Sequence, residues 1–247
     1  MSLARLPINA FKKLLRAVGV DLVRYNLHHS EEVLLNTIIR NFKIQTILDV
    51  GANEGQYAIQ IFDSGFKGKI YSFEPISDVY KILQKKAGDS QKWLTFNQGI
   101  GSREEEVMIN VSENFVSSSI FNVSSASTDA EPQTQTVRKE KIKITTIDSF
   151  FSANTFENNI LLKLDIQGFE LEALKGALNS LPKLKLIQSE LSFVKLYDNI
   201  PLYDEVIKFL EQHGYEIFTI IPGFRDNVTG RLFQADGIFV KKESGHK

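Results

Sequence analysis

Four acidic residues close apolar runs in this chain. Asp49 follows Thr46-Ile47-Leu48, Glu74 follows Ile70-Tyr71-Ser72-Phe73, Asp165 follows Ile160-Leu161-Leu162-Lys163-Leu164, and Glu190 ends Leu184-Lys185-Leu186-Ile187-Gln188-Ser189. If those runs are strands of one parallel sheet, their carboxyl ends share the edge at which open α/β sheets bind ligands. Unpaired carboxylates gathered there are costly unless a ligand, a metal or a hydrogen-bond partner compensates them. The first acid also opens Asp49-Val50-Gly51-Ala52-Asn53-Glu54-Gly55. Its two glycines let the backbone turn sharply and approach a ligand, and a helix after Gly55 would aim free N–H groups at it. A glycine turn after one strand with an acid ending the next is a nucleoside-binding pattern, in which Glu74 would accept both ribose hydroxyls. A dinucleotide site would want Gly-x-Gly-x-x-Gly, and here Ala52-Asn53-Glu54 stands where the second glycine should be, crowding a pyrophosphate. Glu54 near the turn suits a cationic ligand better than an anionic one.

The elements that must carry these residues follow from periodicity. After the turn, residues 56–62 read as a helix, 69–73 as a strand stopped by Pro75, 77–86 as a helix and 93–97 as a strand, with a turn at Gly99-Ile100-Gly101-Ser102. Three strand-helix alternations imply a parallel sheet with right-handed crossovers. Residues 107–111 and 141–147 alternate as strands. Between them, residues 112–136 are rich in serine and threonine and too polar for core, either a lid over the site or a floppy loop. Phe115, Val116, Ile120 and Phe121 beside Ser117-Ser118-Ser119 suggest that part of it is ordered. A strand ends at Asp165, and Gly168 precedes a helix carrying Phe169, Leu171, Leu174 and Leu178. A further strand runs to Glu190, followed by a helix at 202–212 and strands at 215–220 and 237–241. Upstream, residues 6–18 form an amphipathic basic helix. It either caps the domain or packs in a dimer, or it docks on a membrane surface or a partner. Ser30 caps a second helix whose stripe is Val33, Leu34, Ile38 and Ile39, next to a solvated His28-His29 pair that would otherwise reach a cofactor entrance. The chain thus divides into an N-terminal helical extension at 1–43 and an α/β domain at 44–247, with an insertion at 112–140.

Composition bounds the rest. A net charge of -1 over 247 residues gives no global attraction to nucleic acid. The absence of cysteine removes disulfides, thiolate metal sites and a thiol nucleophile, and fits a reducing compartment. No apolar run approaches the roughly 18 residues of a membrane span, and the N-terminus lacks a signal peptide's apolar core, so a cytoplasmic location is the expectation.

Taken together, these residues resemble the class I S-adenosylmethionine-dependent methyltransferases and, more narrowly, the FkbM family. Three blocks carry the likeness: Asp-Val-Gly-Ala-Asn-x-Gly at 49–55, Phe-Glu-Pro at 73–75, and Lys-x-Asp-x-x-Gly-x-Glu-x-x-x-Leu-x-Gly at 163–176. Ser118-Ser119, Thr146-Ile147-Asp148, and Glu190 followed by Leu196-Tyr197 support them, over residues 44–240 in all. The resemblance implies a Rossmann-like class I methyltransferase fold, a seven-stranded mostly parallel sheet with helices on both faces plus the N-terminal extension. It implies that Gly51, Ala52, Asn53 and Gly55 wrap the methionine and ribose of S-adenosyl-L-methionine, that Glu74 holds the ribose diol, and that Asn97, Gly99 and Ile100 meet adenine. Asp49 and Ser118 belong to the same cofactor-binding set. Members of the family mostly methylate hydroxyls of sugars or of glycosylated and polyketide natural products, so O-methylation is the implied reaction. Amino-methylating relatives often carry an Asn/Asp-Pro-Pro-aromatic block where Asp165-Ile166-Gln167-Gly168 stands here.

A hydroxyl must be aligned within roughly 3 Å of the methyl and relieved of its proton. Asp165 is placed to be the base, or with Glu190 to hold Mg2+ or another divalent cation that lowers the hydroxyl's pKa. Alternatively, Asp165 caps the helix near Gly168. Lys163 reads as an ion-pair partner. Two other functions stay open: a non-catalytic S-adenosylmethionine-binding module and a nicotinamide-dependent oxidoreductase, the latter disfavoured by the missing glycine. The acceptor, a small molecule or glycan, would be chosen by residues 112–136, the N-terminal helices and the loops at 199–201 and 222–231. There Tyr197, Tyr203 and Phe224 would stack on sugar rings or simply pack. A homo-oligomer fits the same features.

Overall fold

The computed structural model describes residues 8–124, 127–128, 131–156 and 159–242. Leu6, the expected start of the first helix, and parts of the serine-rich stretch lie outside them. The chain forms two compact units, residues 1–41 and 42–247. In the first, helix α1 (Ile8–Ala17) sets Lys12, Lys13 and Arg16 apart from Phe11 and Leu14, which are exposed. Helix α2 (Glu31–Asn41) is capped by Ser30, whose Oγ accepts the Val33 N–H at 3.3 Å. Its acids fall in the first turn and Arg40 in the last, as the helix dipole favours. Leu35, Ile38 and Ile39 are its buried side chains.

The second unit is built on a seven-stranded sheet. Its strands are β1 (Thr46–Val50), β2 (Lys69–Phe73), β3 (Trp93–Phe96), β7 (Ile160–Leu164), β8 (Leu184–Ser192), β9 (Tyr215–Pro222) and β10 (Gln234–Lys241). They lie in the order β3-β2-β1-β7-β8-β10-β9, parallel except that β10 runs antiparallel to both of its neighbours. Every residue of β1 and β7 is buried, the signature of central strands covered on both faces. On one face Leu48, Val50 and Leu164 pack into a single apolar cluster with residues of α5 (Ile147–Ala153), α6 (Glu170–Lys175) and α7 (Tyr203–Gln212). The helices between the first strands, α3 (Gln56–Asp63) and α4 (Ser77–Ala87), bury Ala58, Ile61, Val79 and Leu83.

Three further strands make a second sheet. β4 (Gly99–Ile100) pairs parallel with β6 (Thr136–Thr145), and β5 (Glu105–Ser112) pairs antiparallel with it. The expected turn at Gly99-Ile100 is therefore a short strand, because β6 offers it a ladder. The segment assigned to the insertion enters β6 from Thr136 onward. Helix α6 is shorter than the apolar spacing suggests: Gly176 ends it and leaves Leu178 exposed.

Candidate active site

The turn after β1 is fixed by sterics. Gly51 has φ +77°, and a Cβ added to it would lie 1.8 Å from the carbonyl oxygen of Asp165. Gly55 has φ +89°, and its added Cβ would press on Trp93 and Leu83. The N–H groups of Gly51 and Ala52 donate to the Phe73 carbonyl at 3.1 and 3.0 Å, tying the turn to the end of β2. There Glu74 is almost wholly buried; its Oε2 accepts the Asn53 N–H at 3.0 Å and its Oε1 the Ile76 N–H at 2.8 Å. Burial pushes Glu74 up to about 7, against the pull of those two N–H donors. A carboxylate has about four acceptor positions. Each oxygen of Glu74 thus keeps room for one more donor, which fits a ribose diol.

Asp49 serves this turn from beneath. It has no exposed surface; Ser72 Oγ donates to its Oδ2 at 3.0 Å, the Trp93 indole N–H donates to Ser72 Oγ at 2.9 Å, and Lys163 Nζ lies 3.3 Å from its Oδ1. Lys163 also donates to the Gly51 carbonyl at 3.1 Å and pairs with Asp165 at 3.4 Å. Burial alone would lower its pKa, but the charges of Asp165 and Asp49 outweigh burial and raise it. One buried cation therefore ties both halves of the site, the ion-pair role its place in the strand suggests.

On the other side of Gly51 the chain leaves β7 at Asp165. Its side chain is 40% exposed, whereas Glu190 is part-buried. Glu190 does not end its strand: β8 continues to Ser192 because β10 pairs alongside, opposing Glu190 with Asp236. Gln167 joins the two acids. Its Nε2 donates to Asp165 Oδ1 at 3.0 Å and to the Glu190 oxygens at 3.2 and 3.3 Å, while its Oε1 accepts the Tyr197 hydroxyl at 2.8 Å. Burial first, then the charges of Asp165, Glu170 and Asp236, raise Glu190 well above the usual carboxylate range. Glu170 rather than Asp165 ties down the loop before α6, accepting the Ile166 N–H at 2.9 Å; burial pushes it up to about 7.

That donor set does not suit a divalent cation. The gap between Asp165 and Glu190 is filled by amide hydrogens, and among the described residues no group of three or more potential ligand side chains gathers to hold a metal ion. We derive no step through one.

Between the halves lies a cleft lined by Gly51, Asn53, Glu74, Asp165 and Gln167 and roofed by Phe115, Val116 and Ser118 from the serine-rich stretch. This part of the stretch is ordered over the cleft. Asn110 and Ser119 exchange backbone hydrogen bonds of 2.9 and 3.1 Å, Ser118 Oγ accepts the Ser112 N–H at 3.0 Å, and Ser119 Oγ donates to the Gln167 carbonyl at 2.7 Å. Under this roof only about 80 Å³ is open to water-sized molecules, well below the roughly 300 Å³ of small clefts. A second hollow of about 210 Å³ lies between Phe121 and the loop at 199–201, beside Gly168. A wider one, about 680 Å³, opens where β7 and β8 begin, at the opposite edge of the sheet from these acids.

Several expected residues stand back from the cleft lining. Asn97 donates to the carbonyls of Glu74 and Pro75 at 2.9 and 3.0 Å and so braces the Phe-Glu-Pro corner. Gly99 and Ile100 are buried in β4, and Glu54 is paired with Lys86 at 2.9 Å. Tyr203 stacks on Phe193, Phe224 packs edge-on against Phe233, and Tyr197 is buried, so these aromatics pack among protein groups. Gln167 and Tyr197 are the partners that sequence reasoning missed; the one available signal was Gln167 standing in place of a proline in the third block.

A doubly wound sheet with a glycine turn, a buried acid after its second strand and Asp165 lining the same cleft defines a ligand site at the carboxyl ends of the strands. Residues 49–217 match the family described as the methyltransferase FkbM domain, and the chain belongs to that family. No curated protein matches it in sequence. Among solved structures it is similar to the magnesium protoporphyrin IX methyltransferase of Synechocystis PCC 6803 with bound S-adenosylmethionine, at 9% identity over 94% of this chain and 91% of that one, with a TM-score of 0.46. It is also similar to Aeropyrum pernix fibrillarin bound to S-adenosyl-L-methionine, at 15% identity over 85% and 73% with a TM-score of 0.47, and to a Streptococcus thermophilus rRNA methylase, at 10% over 90% and 99% with 0.46.

Proposed function

We propose that this methyltransferase acts on a hydroxyl of a sugar, glycan or glycosylated metabolite. The observation that carries the reading is Asp165, which lines the cleft together with Glu74 and is joined through the Gln167 amide to Glu190, where an acceptor hydroxyl needs a proton acceptor. When bound, S-adenosylmethionine supplies an electrophilic methyl on a cationic sulfur. Gly51, Ala52, Asn53 and Gly55 face its methionine and ribose, Glu74 accepts the ribose hydroxyls, and Ser118 closes over it from the lid. Asn97 acts through the corner it braces, and Gly99 and Ile100 back the adenine side. As the acceptor oxygen bonds to the methyl carbon, the carbon–sulfur bond breaks, its electron pair stays on sulfur, and the hydroxyl proton passes to Asp165. Asp165, the more exposed acid and the one paired with Lys163, is the carboxylate within the acceptor's reach. Isothermal titration with S-adenosylhomocysteine tests the donor half: one-site binding is expected, and no binding would sink the reading.

Peripheral contact with an anionic membrane is the partner we propose for α1. Lys12 and Lys13 stand on its basic side with Arg16, which is paired with Asp21 at 2.9 Å, next to Phe11 and Leu14 at 43% and 64% exposure. Pairing with a second copy would set like charges face to face. Among the described residues no helix is long and apolar enough to cross a membrane. Co-sedimentation with anionic vesicles but not with neutral ones is expected; equal sedimentation with both would remove the idea.

A further inference from the structure

Gln167 is only 8% exposed and holds φ +54°, a left-handed backbone that side chains other than glycine seldom adopt. Its side-chain amide and its backbone carbonyl are engaged. The amide N–H groups reach Asp165 and Glu190, the amide oxygen accepts from Tyr197, and the backbone carbonyl accepts from Ser119. The Tyr197 hydroxyl also lies 3.0 Å from the Ser117 carbonyl. Ser119 therefore ties the lid to Gln167 directly, while the single Tyr197 hydroxyl hydrogen is shared between the Gln167 amide oxygen and the Ser117 carbonyl, beside the residue that sets the spacing of the two acids. An amide is suited to this, since it donates two hydrogens and accepts from a hydroxyl at once.

We propose that Gln167 is a positioning residue for methyl transfer: held by Tyr197 and Ser119, it brings Asp165 and Glu190 to their working separation when residues 117–119 seat over the cleft. The inference rests on the methyl-transfer reading and deepens it. Acid spacing and lid seating become one event, so a bound donor and an aligned base arise together.

The test uses the full chain with Tyr197→Phe, Gln167→Asn and the double variant. Phe keeps the ring packing and removes only the hydroxyl; Asn tolerates the left-handed backbone but is too short to span both acids. Backbone amide exchange over residues 115–121 is expected to rise roughly tenfold in each single variant, the scale of one buried hydrogen bond, and no further in the double variant because one link is broken twice. Turnover with labelled S-adenosylmethionine and a pool of sugar nucleotides and glycans should fall about tenfold, with S-adenosylhomocysteine affinity kept within about twofold. Unchanged lid exchange, effects that multiply in the double variant, or unchanged turnover would each overturn the proposal. A wild-type chain that does not bind S-adenosylhomocysteine would sink the underlying reading and the proposal with it, whereas binding with unaltered exchange in the variants sinks the proposal alone.

Discussion

The two halves of the cleft are built on different principles. The Glu74 half is held by backbone: the N–H groups of Gly51, Ala52 and Asn53 hold the turn onto the end of β2, and the carboxylate it presents, Glu74, is itself pinned by two N–H groups. The opposite half is side chains from separate elements, Asp165, Gln167, Glu190 and Tyr197, held by one another and by the lid. A backbone cradle cannot be retuned without breaking the turn, whereas a side-chain network changes one residue at a time.

Breaking the backbone half should have the largest effect. Gly51→Ala would drive a methyl into the Asp165 carbonyl at a left-handed φ. Overpacking and backbone strain together should cost about 3 kcal/mol, lowering the melting temperature by roughly 6–12 °C and abolishing S-adenosylhomocysteine binding; calorimetry checks both. On the side-chain half, Asp165→Asn should leave that binding within a few-fold yet slow transfer by about 100-fold or more, the scale of a lost general base. Single-turnover rates decide it, and an unchanged rate would favour a non-catalytic module.

Glu74 sharpens the contrast through pH. Its raised pKa means that the free fold holds a proton there up to about pH 7, while ribose hydroxyls prefer the ionised form. Affinity for S-adenosylhomocysteine should therefore rise roughly tenfold from pH 6 to pH 8, and Glu74→Gln should flatten the titration. The sign for stability is opposite: a carboxyl raised in the fold stabilises it below its unfolded pKa, and that contribution is lost as pH climbs through about 7. The smallest effect expected is none. Because the Gln167 amide fills the gap between Asp165 and Glu190, excess chelator should leave the transfer rate unchanged.

The same contrast explains what the chain's sequence could show. Glycine at 51 and 55 and an acid before Pro75 are demands of a local turn, so that turn and the doubly wound sheet were legible from spacing. Asn97 was expected to meet adenine, whereas its bonds to the Glu74 and Pro75 carbonyls depend on how β3 sits beside β2. Gly99-Ile100 looked like a turn because its ladder partner, β6, lies more than forty residues further on. The contacts of Gln167 with Tyr197 and Ser119 span 30 and 48 positions, and no periodicity reports such a meeting. Serine-rich composition left a lid and a floppy loop both open, and only the apolar residues beside Ser117-Ser118-Ser119 pointed to the order that side-chain hydrogen bonds give this part.

The most direct measurement is transfer of labelled methyl from S-adenosylmethionine to a panel of sugar nucleotides and glycans, in excess chelator, by the wild type and Asp165→Asn side by side, with the product located by mass spectrometry. The account predicts a methyl ether on an acceptor oxygen from the wild type and about 100-fold less from the variant. Label on nitrogen or carbon, or equal rates from the two proteins, would contradict it.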